Sequence, residues 1–570
     1  MIGLNKIGLN QVQLNRLRLN APFPAYGKMA GGGGSGDGFP VLPGDVTRWH
    51  FGGLTNEMMA AMDDPRIEDA DHKGRFLSFK NLAWKGMSGV GGYVGDFSKW
   101  VNNRDTTEIG ITKSNSKVII DVKVSQGSGK NIVFISKSNL GISNNVTIKI
   151  TSTYPEGVMK FANSASNKYL KLPSNGIITL QDNPEYTSNE MHLHLASADL
   201  GQITIEQLPL YPGALVFDGV DDYGVCENFP ILTKEKGYTV VALRQWITRG
   251  ERALGLVSNV KNWLNNGAFL LEYRNIQADH LNKPISFGAI GSEMDLPHIL
   301  TYQTSKSYNG VSITTGNFEG TDVLHVGKLA PTNVGTCINA AIWELVFLDH
   351  DATEEELTKI KDYFVKTYPW LFPDQAWTVV GKTNEDEDRA TIANITGNGN
   401  DLVLSNFGFA EGSGYNEEGE YEGYLVTDGV DDKIVSSVFI MGKDFTIVGD
   451  WKFIDNKKSG TGLVKGSSFY IYNTMTGLDL YINSASVKNS LDGIKSINAA
   501  CSDGRAYDRN WNEILANTGN VVGSGGTLEV SSSGGRFDRI AFKNLAIYPR
   551  ILSKDDCIKA YNYLQTLKAK

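Results

Sequence analysis

The sequence predicts a mainly β protein made of two related sandwich modules, the first of them interrupted by a third. Three observations carry that prediction. The phrase LVFDGVDDYGV at 215–225 recurs as LVTDGVDDKIV at 425–435. The stretch AIWELVFLDHDATEEELTKIKDYF from 341 aligns without a gap with AFKNLAIYPRILSKDDCIKAYNYL from 541. Upstream, FLSFKNLAWKGMSG (76–89) matches LVLSNFGFAEGSG (402–414), but the first copy then carries about 115 more residues than the second before its aspartate phrase. Self-similarity over such distances marks a duplicated structural unit, and an unstructured loop of that length is rare enough to point to an inserted domain.

Each element follows from local chemistry. GYTVVAL (237–243) and DFTIVGD (444–450) are β-branched runs of strand type. Both closing segments read as an apolar strand, a turn, and a helix begun by Thr353 or Ser553 as N-cap with acidic residues in its first turn. Leu357, Ile360 and Phe364 form the apolar stripe of one helix, and Cys557, Ala560 and Leu564 that of the other. The insert, 104–210, reads as its own strands, among them KVIIDVKV, NIVFIS, NVTIKITS, GIITLQ, MHLHLA and QITIEQ, with Gly, Asn and Ser turns. That pattern predicts a small antiparallel sandwich of immunoglobulin-like type. Residues 39–73 read as a connector with one short helix.

Composition narrows the function classes. The 570 residues are 41% hydrophobic and carry 62 Gly and a net charge of −9. The chain is therefore expected to fold throughout most of its length, and an acidic balance argues against sequence-independent binding of nucleic acid, which needs concentrated cations. Cys226, Cys337, Cys501 and Cys557 form no CxxC pair, so buried thiols are expected rather than a disulfide framework or a zinc site. MIGLNKIGLN lacks the apolar stretch of a secretory signal and no run of 18 apolar residues occurs, so synthesis in a cytoplasm without membrane insertion is expected.

The first twenty residues keep a five-residue rhythm, IGLNK, IGLNQ, VQLNR, LRLNA, that neither helix nor strand shares. Up to Gly36 the segment has Lys6, Arg16, Arg18 and Lys28 but no acid, and GGGGSGDG at 31–38 has the composition of a flexible linker. Residues 1–30 are expected to be an anchoring peptide that buries Ile2, Leu4, Ile7, Leu9, Val12, Leu14, Leu17 and Leu19 against a partner, by adding a strand to a sheet.

Candidate sites are few. Asp218, Asp221 and Asp222, with their counterparts Asp428, Asp431 and Asp432, have two readings. The stronger is structural: an Asp-Gly step between apolar runs makes a hairpin or bulge. The weaker is calcium, a hard cation suited to clustered carboxylates, and no other cofactor is expected. Tyr415, Tyr421 and Tyr424, in a Gly- and Glu-rich loop, are candidates for an exposed sugar-binding edge, whereas Trp246, Trp343 and Trp451 lie in strand-like runs and should be core. No catalytic residue is expected, because no E-x-D-x-E strand, G-x-S-x-G or H-E-x-x-H run occurs.

FDGVDDY opening the repeat and a strand plus S/T-x-E-E helix closing it resemble the concanavalin-like or laminin-G-like jelly rolls, and ITGNGNDLVLSNF at 395–407 looks like their first strand. The resemblance implies modules at 74–103 plus 211–372 and at 375–570, with 31–73 as linker and connector. Such folds serve as glycan binders, adhesion modules or spacers. With an immunoglobulin-like insert and no secretion signal, the whole is similar to virion proteins of crAss-like and related phages of gut Bacteroidales. That likeness implies a head or tail fibre or decoration protein, located in the virion, forming a homo-oligomer, bound to capsid or tail proteins and touching host surface polysaccharide. The alternatives are a glycan-active enzyme and a bacterial adhesin.

Overall fold

The structure, a computed structural model, describes residues 38–102, 107–124, 130–136, 146–162, 169–180, 190–197, 199–232, 237–248, 254–259, 269–273, 277–280, 283–285, 298–303, 321–328, 337–418, 421–454, 460–465, 469–473, 477–482, 491–492, 496–515, 524–533 and 536–569. The expected anchor residues from Ile2 to Leu19 lie outside these. The described chain is mainly β, as expected, with every strand pairing antiparallel in several sheets.

Each module is two sheets around a core. In the first, the long strand Asn339–Leu348 pairs along one side with Thr239–Thr248 and along the other with Leu215–Asp218 and Val46–His50. The opposing sheet runs Arg66–Glu68, Phe76–Lys80, Tyr223–Cys226, Leu324–Val326, Leu254–Ser258 and beyond. The second module repeats this. Ile540–Tyr548 pairs with Thr446–Phe453, Leu425–Val426 and Gln375–Thr378, facing a sheet that includes Leu402–Ser405, Lys433–Ser436, Leu528–Val530 and Gly460–Lys465. Trp49, Phe79, Phe217 and Trp246 fill one core; Trp377, Leu404, Trp451 and Phe542 fill the other.

Val46–His50 overturns part of the expectation for 39–73. This stretch is no mere connector: Trp49 and Phe51 are fully buried, and helix α1 (Asn56–Ala60) inserts Met59 into the same core. The sequence hid the strand because only one tryptophan, matching Trp377, survives of its likeness to QAWT.

The insert is a sandwich of two five-stranded sheets around Trp100, Ile120, Ile148, Phe161 and Leu193. Its winding differs from the immunoglobulin order. Lys117–Val122 pairs with Gly201–Gln207, Lys130–Ser136 with Glu190–Leu195, Thr147–Ser152 with Asn175–Thr179, and Met159–Ala162 with Tyr169–Lys171. First with last and so inward, this is a long hairpin rolled into a jelly roll. Alternation alone fixes which face of a strand is buried, not which strand it pairs with. The insert leaves between Gly89–Val90 and Leu215–Asp218, the position that in the second module lies between Gly414–Tyr415 and Leu425–Val426.

Helices α2 (Glu354–Thr367) and α3 (Lys554–Leu564) close the modules. Thr353 and Glu356 form a reciprocal capping box, and Ser553 Oγ accepts from Asp556 N at 3.1 Å. Ile360 and Phe364, like Cys557, Ala560 and Leu564, are buried in one cluster with Trp343, Trp370, Trp511 and Tyr548, so the two modules share a single outer core. Tyr548 donates to the Trp370 carbonyl at 2.8 Å and Arg550 to that of Val365 at 3.2 Å.

Substituting Phe364→Ala should cost about 3–5 kcal/mol through the cavity it leaves, and Thr353→Ala about 1 kcal/mol through the lost cap. Denaturant unfolding of the two variants measures both, and equal small losses would show that α2 does not seal the core.

A candidate functional site at the duplicated aspartate turn

The two DGVDD turns carry the most heavily repeated side-chain chemistry among the described residues. Neither turn is a hairpin, contrary to expectation. Leu215–Asp218 and Tyr223–Cys226 belong to opposite sheets, as do Leu425–Val426 and Lys433–Ser436, so each turn carries the chain across its sandwich. Asp218 Oδ1 accepts from Val220 N at 2.8 Å and Asp428 Oδ1 from Val430 N at 2.7 Å, and Gly219 and Gly429 supply φ of 82° and 72°.

The last aspartate of each phrase turns inward. Asp222 is fully buried: one carboxylate oxygen accepts from Asp218 N at 3.1 Å and the other from the Ser88 hydroxyl at 3.0 Å. Asp432 repeats this with Asp428 N at 2.7 Å and Ser413 at 3.1 Å. Each serine in turn accepts a backbone N–H, Ala83 at 2.7 Å or Gly408 at 2.8 Å. Asn81 and Asn406, both at left-handed φ near 67–68°, donate to the carbonyls of Asp221 and Asp431 at 3.1 and 3.0 Å. The matched Asn81 and Asn406 of the sequence thus belong to the same device as the aspartates.

A third pair escaped the sequence analysis. Asn56 brackets Val90 by accepting from its N–H at 2.7 Å and donating to its carbonyl at 3.1 Å, and Asn384 brackets Tyr415 at 2.8 and 2.7 Å. The signal was present as Thr-Asn-Glu at 55–57 and again at 383–385. Gly89 and Gly414 follow from it: a Cβ there would lie 2.4 or 2.5 Å from the asparagine Oδ1.

Burial pushes Asp222 up to about 7, with repulsion from Asp218 and Asp221 adding to it, against the hydrogen bonds from Ser88 and Asp218 N. Burial likewise raises Asp432 to about 6. The three carboxylates of each turn bring one oxygen apiece within 4.8 Å of one another, a spacing a cation would accept. The donor set fits that role poorly, because Asp218 Oδ1 and both Asp222 oxygens already receive N–H or O–H groups. The arrangement works chemically as a turn lock, with the neutral acid tolerated in the interior.

The tyrosines are corrected. Tyr415 is 3% exposed and donates to the Arg389 carbonyl at 2.7 Å; Tyr424 is 6% exposed and donates to Asp450 at 3.0 Å. Buried rings offer no platform to a sugar. Only Tyr421 is half-exposed, with the Lys452 ammonium 5.1 Å from its ring centre. Trp246, Trp343 and Trp451 are core, as expected.

No family model matches the sequence, and no curated protein does. Among solved structures, the chain is similar to Trypanosoma rangeli sialidase in complex with sialic acid, at 12% identity over 86% of this chain and 91% of that one, with a TM-score of 0.25. It is also similar to the botulinum neurotoxin serotype D binding domain, at 10% identity over 61% of this chain and 89% of that one, with a TM-score of 0.24. Superposition that loose carries no residue across, so the site rests on this chain's own geometry.

Because the folded state holds these protons more tightly than the unfolded chain, it binds more of them between pH 4 and 7, and the two acids make stability fall as pH rises through that window. Asp432→Asn should flatten the decline in Tm between pH 5 and 7.5, and a slope identical to wild type would show that Asp432 does not hold its proton more tightly in the folded state. Ser88→Ala, which strands one oxygen of Asp222 and the Ala83 N–H, should cost about 1–3 kcal/mol. If the turn is a lock, millimolar calcium leaves the Tm unchanged; a rise of several degrees would make it a cation site.

Proposed function

We propose that this chain is a non-enzymatic virion structural protein of a bacteriophage, a fibre or decoration, attached through residues 1–30 and projecting its sandwich modules outward. The observation that supports this reading most is the duplicated lock joined to a shared outer core. Acidic side chains of the kind that serve glycan hydrolysis are spent in both modules on holding turns. A projecting spacer needs that stiffness.

The rhythmic aliphatic leader complements this. Its Leu and Ile side chains must find burial on another chain if the modules fill their own interiors. In this reading the protein is a homo-oligomer in the particle, its partners are capsid or tail proteins, and the exposed module surfaces touch host polysaccharide. No helix among the described residues is long and apolar enough to cross a membrane.

Deleting residues 1–30 should leave a folded protein that no longer joins particles, scored by circular dichroism and by particle proteomics; a deletant that still assembles refutes the anchor. On a glycan array, binding without release of reducing ends is expected, and release would return the chain to the glycan-active enzymes.

A further inference from the structure

The two sheets of the insert arrange their lysines differently. On the sheet that includes Lys117–Val122, Gly201–Gln207 and Thr147–Ser152, Glu206 stands opposite Lys117 on one side and Lys149 on the other, so each cation faces an acid across the ladder. On the other sheet Lys160 stands directly opposite Lys171, and His194 follows on the next strand. Like charges opposed in this way repel and destabilise a sheet. Among the described residues neither lysine reaches a carboxylate. Glu156, on the turn before them, accepts the Ser174 N–H and hydroxyl at 2.8 and 3.0 Å. Glu190, the one acid in the five strands of this sheet, stands at the far end of its strand opposite Ser136.

An aromatic row runs beside these cations. Tyr169, Ala162, His192 and Phe134 are register partners on four consecutive strands. Phe161 and Leu193, their neighbours in the chain, fill the core of the insert, so alternation turns the row outward. Tyr169 is 43% exposed, more than any other aromatic side chain among the described residues. Lys160 Nζ lies 4.5 Å from the centre of its ring, and the Phe134 and His192 rings meet edge to face at 5.5 Å. An open ring and an opposed lysine pair thus share one surface.

We propose that this outward face of the insert binds a polysaccharide built of uronic acids, an inference that rests on the reading of the protein as a particle component touching surface glycan and names the glycan's class. A pyranose ring lays its C–H face on Tyr169. Its carboxylate is drawn between Lys160 and Lys171 and neutralises both, which relieves the repulsion that the ladder otherwise carries. His192 and Phe134 extend the platform along the row, on strands about 4.8 Å apart. Single-stranded nucleic acid also stacks on aromatic rings, but it suits this face poorly, because two lysines release few counterions from a phosphate backbone and the chain carries a net charge of −9.

The test is titration calorimetry of the native full-length chain with polygalacturonate, with uncharged dextran and with single-stranded DNA. Polygalacturonate alone should bind, and less tightly as salt is raised. Lys171→Glu, which sets an acid opposite Lys160, should weaken binding about tenfold or more while the Tm holds or rises; a merely structural lysine would not separate the two readouts. Tyr169→Ala should weaken binding as well, and Lys149→Glu on the opposite sheet should leave it unchanged. No binding of polygalacturonate by the wild-type chain, equal binding by Lys171→Glu, or preference for DNA overturns the proposal. Particle incorporation is scored on the same proteins. A wild-type chain that joins particles without binding polygalacturonate removes this proposal alone, and one that binds but never joins particles removes only the particle reading.

Discussion

Two strands buried on both faces set the terms for everything else. Asn339–Leu348 and Ile540–Tyr548 have one face against the opposing sheet and the other beneath the outer core that α2 and α3 seal, and almost every side chain along them is inaccessible. A strand in that position reads as an uninterrupted apolar run rather than an alternating one. Any polar group on it must be satisfied by the protein itself, because an unpaired one costs about 1–3 kcal/mol. The helix caps, the short 3-10 turn Pro369–Leu371 that carries Trp370, and the lock at the aspartate turn all serve to keep those two strands covered.

That constraint explains how the two copies diverged. In the first, Glu344 lies opposite Leu243 in the ladder, and Arg48, His50, Tyr363 and Tyr368 converge on its carboxylate. In the second, the matching pair is Asn544 opposite Asp450: the acid has crossed to the neighbouring strand. Arg509 and Tyr424 now answer it at 2.8 and 3.0 Å, Arg509 chiefly offsetting the cost of burial and so keeping Asp450 ionised. A buried ion pair contributes little net stability, but loss of one partner is severe. Each change of acid therefore required a new cation and a new phenol, and for that reason the outer faces differ while the inner cores stay alike.

Much of the fold was legible because its signals are local. Thr353 and Ser553 announced helix starts by side-chain chemistry that acts within three residues, and the stripes of Ile360, Phe364, Ala560 and Leu564 followed from helical spacing alone. The aspartate phrase announced a turn, and Asn81 and Asn406 matched across the copies before their role was visible. Where the reading failed, the missing information was a partner. Val46–His50 has too little repetition to be matched, and its strand exists because Asn339–Leu348 offers it an edge. The insert's strands were found but not their winding, and Tyr415 and Tyr424 looked exposed because their loop is polar.

Sequence alone determined the duplication, the helix starts, the β character of the repeated segments and the aspartates of the turn, since all of these depend on propensity, period and short-range hydrogen bonds. Only the tertiary structure decided that Asp222 and Asp432 face inward, where burial makes them release their protons less readily than exposed aspartates, and that Tyr415 and Tyr424 are core. Those outcomes depend on water being excluded by residues tens to hundreds of positions away, and burial at that distance is a property of the folded chain rather than of any stretch of it.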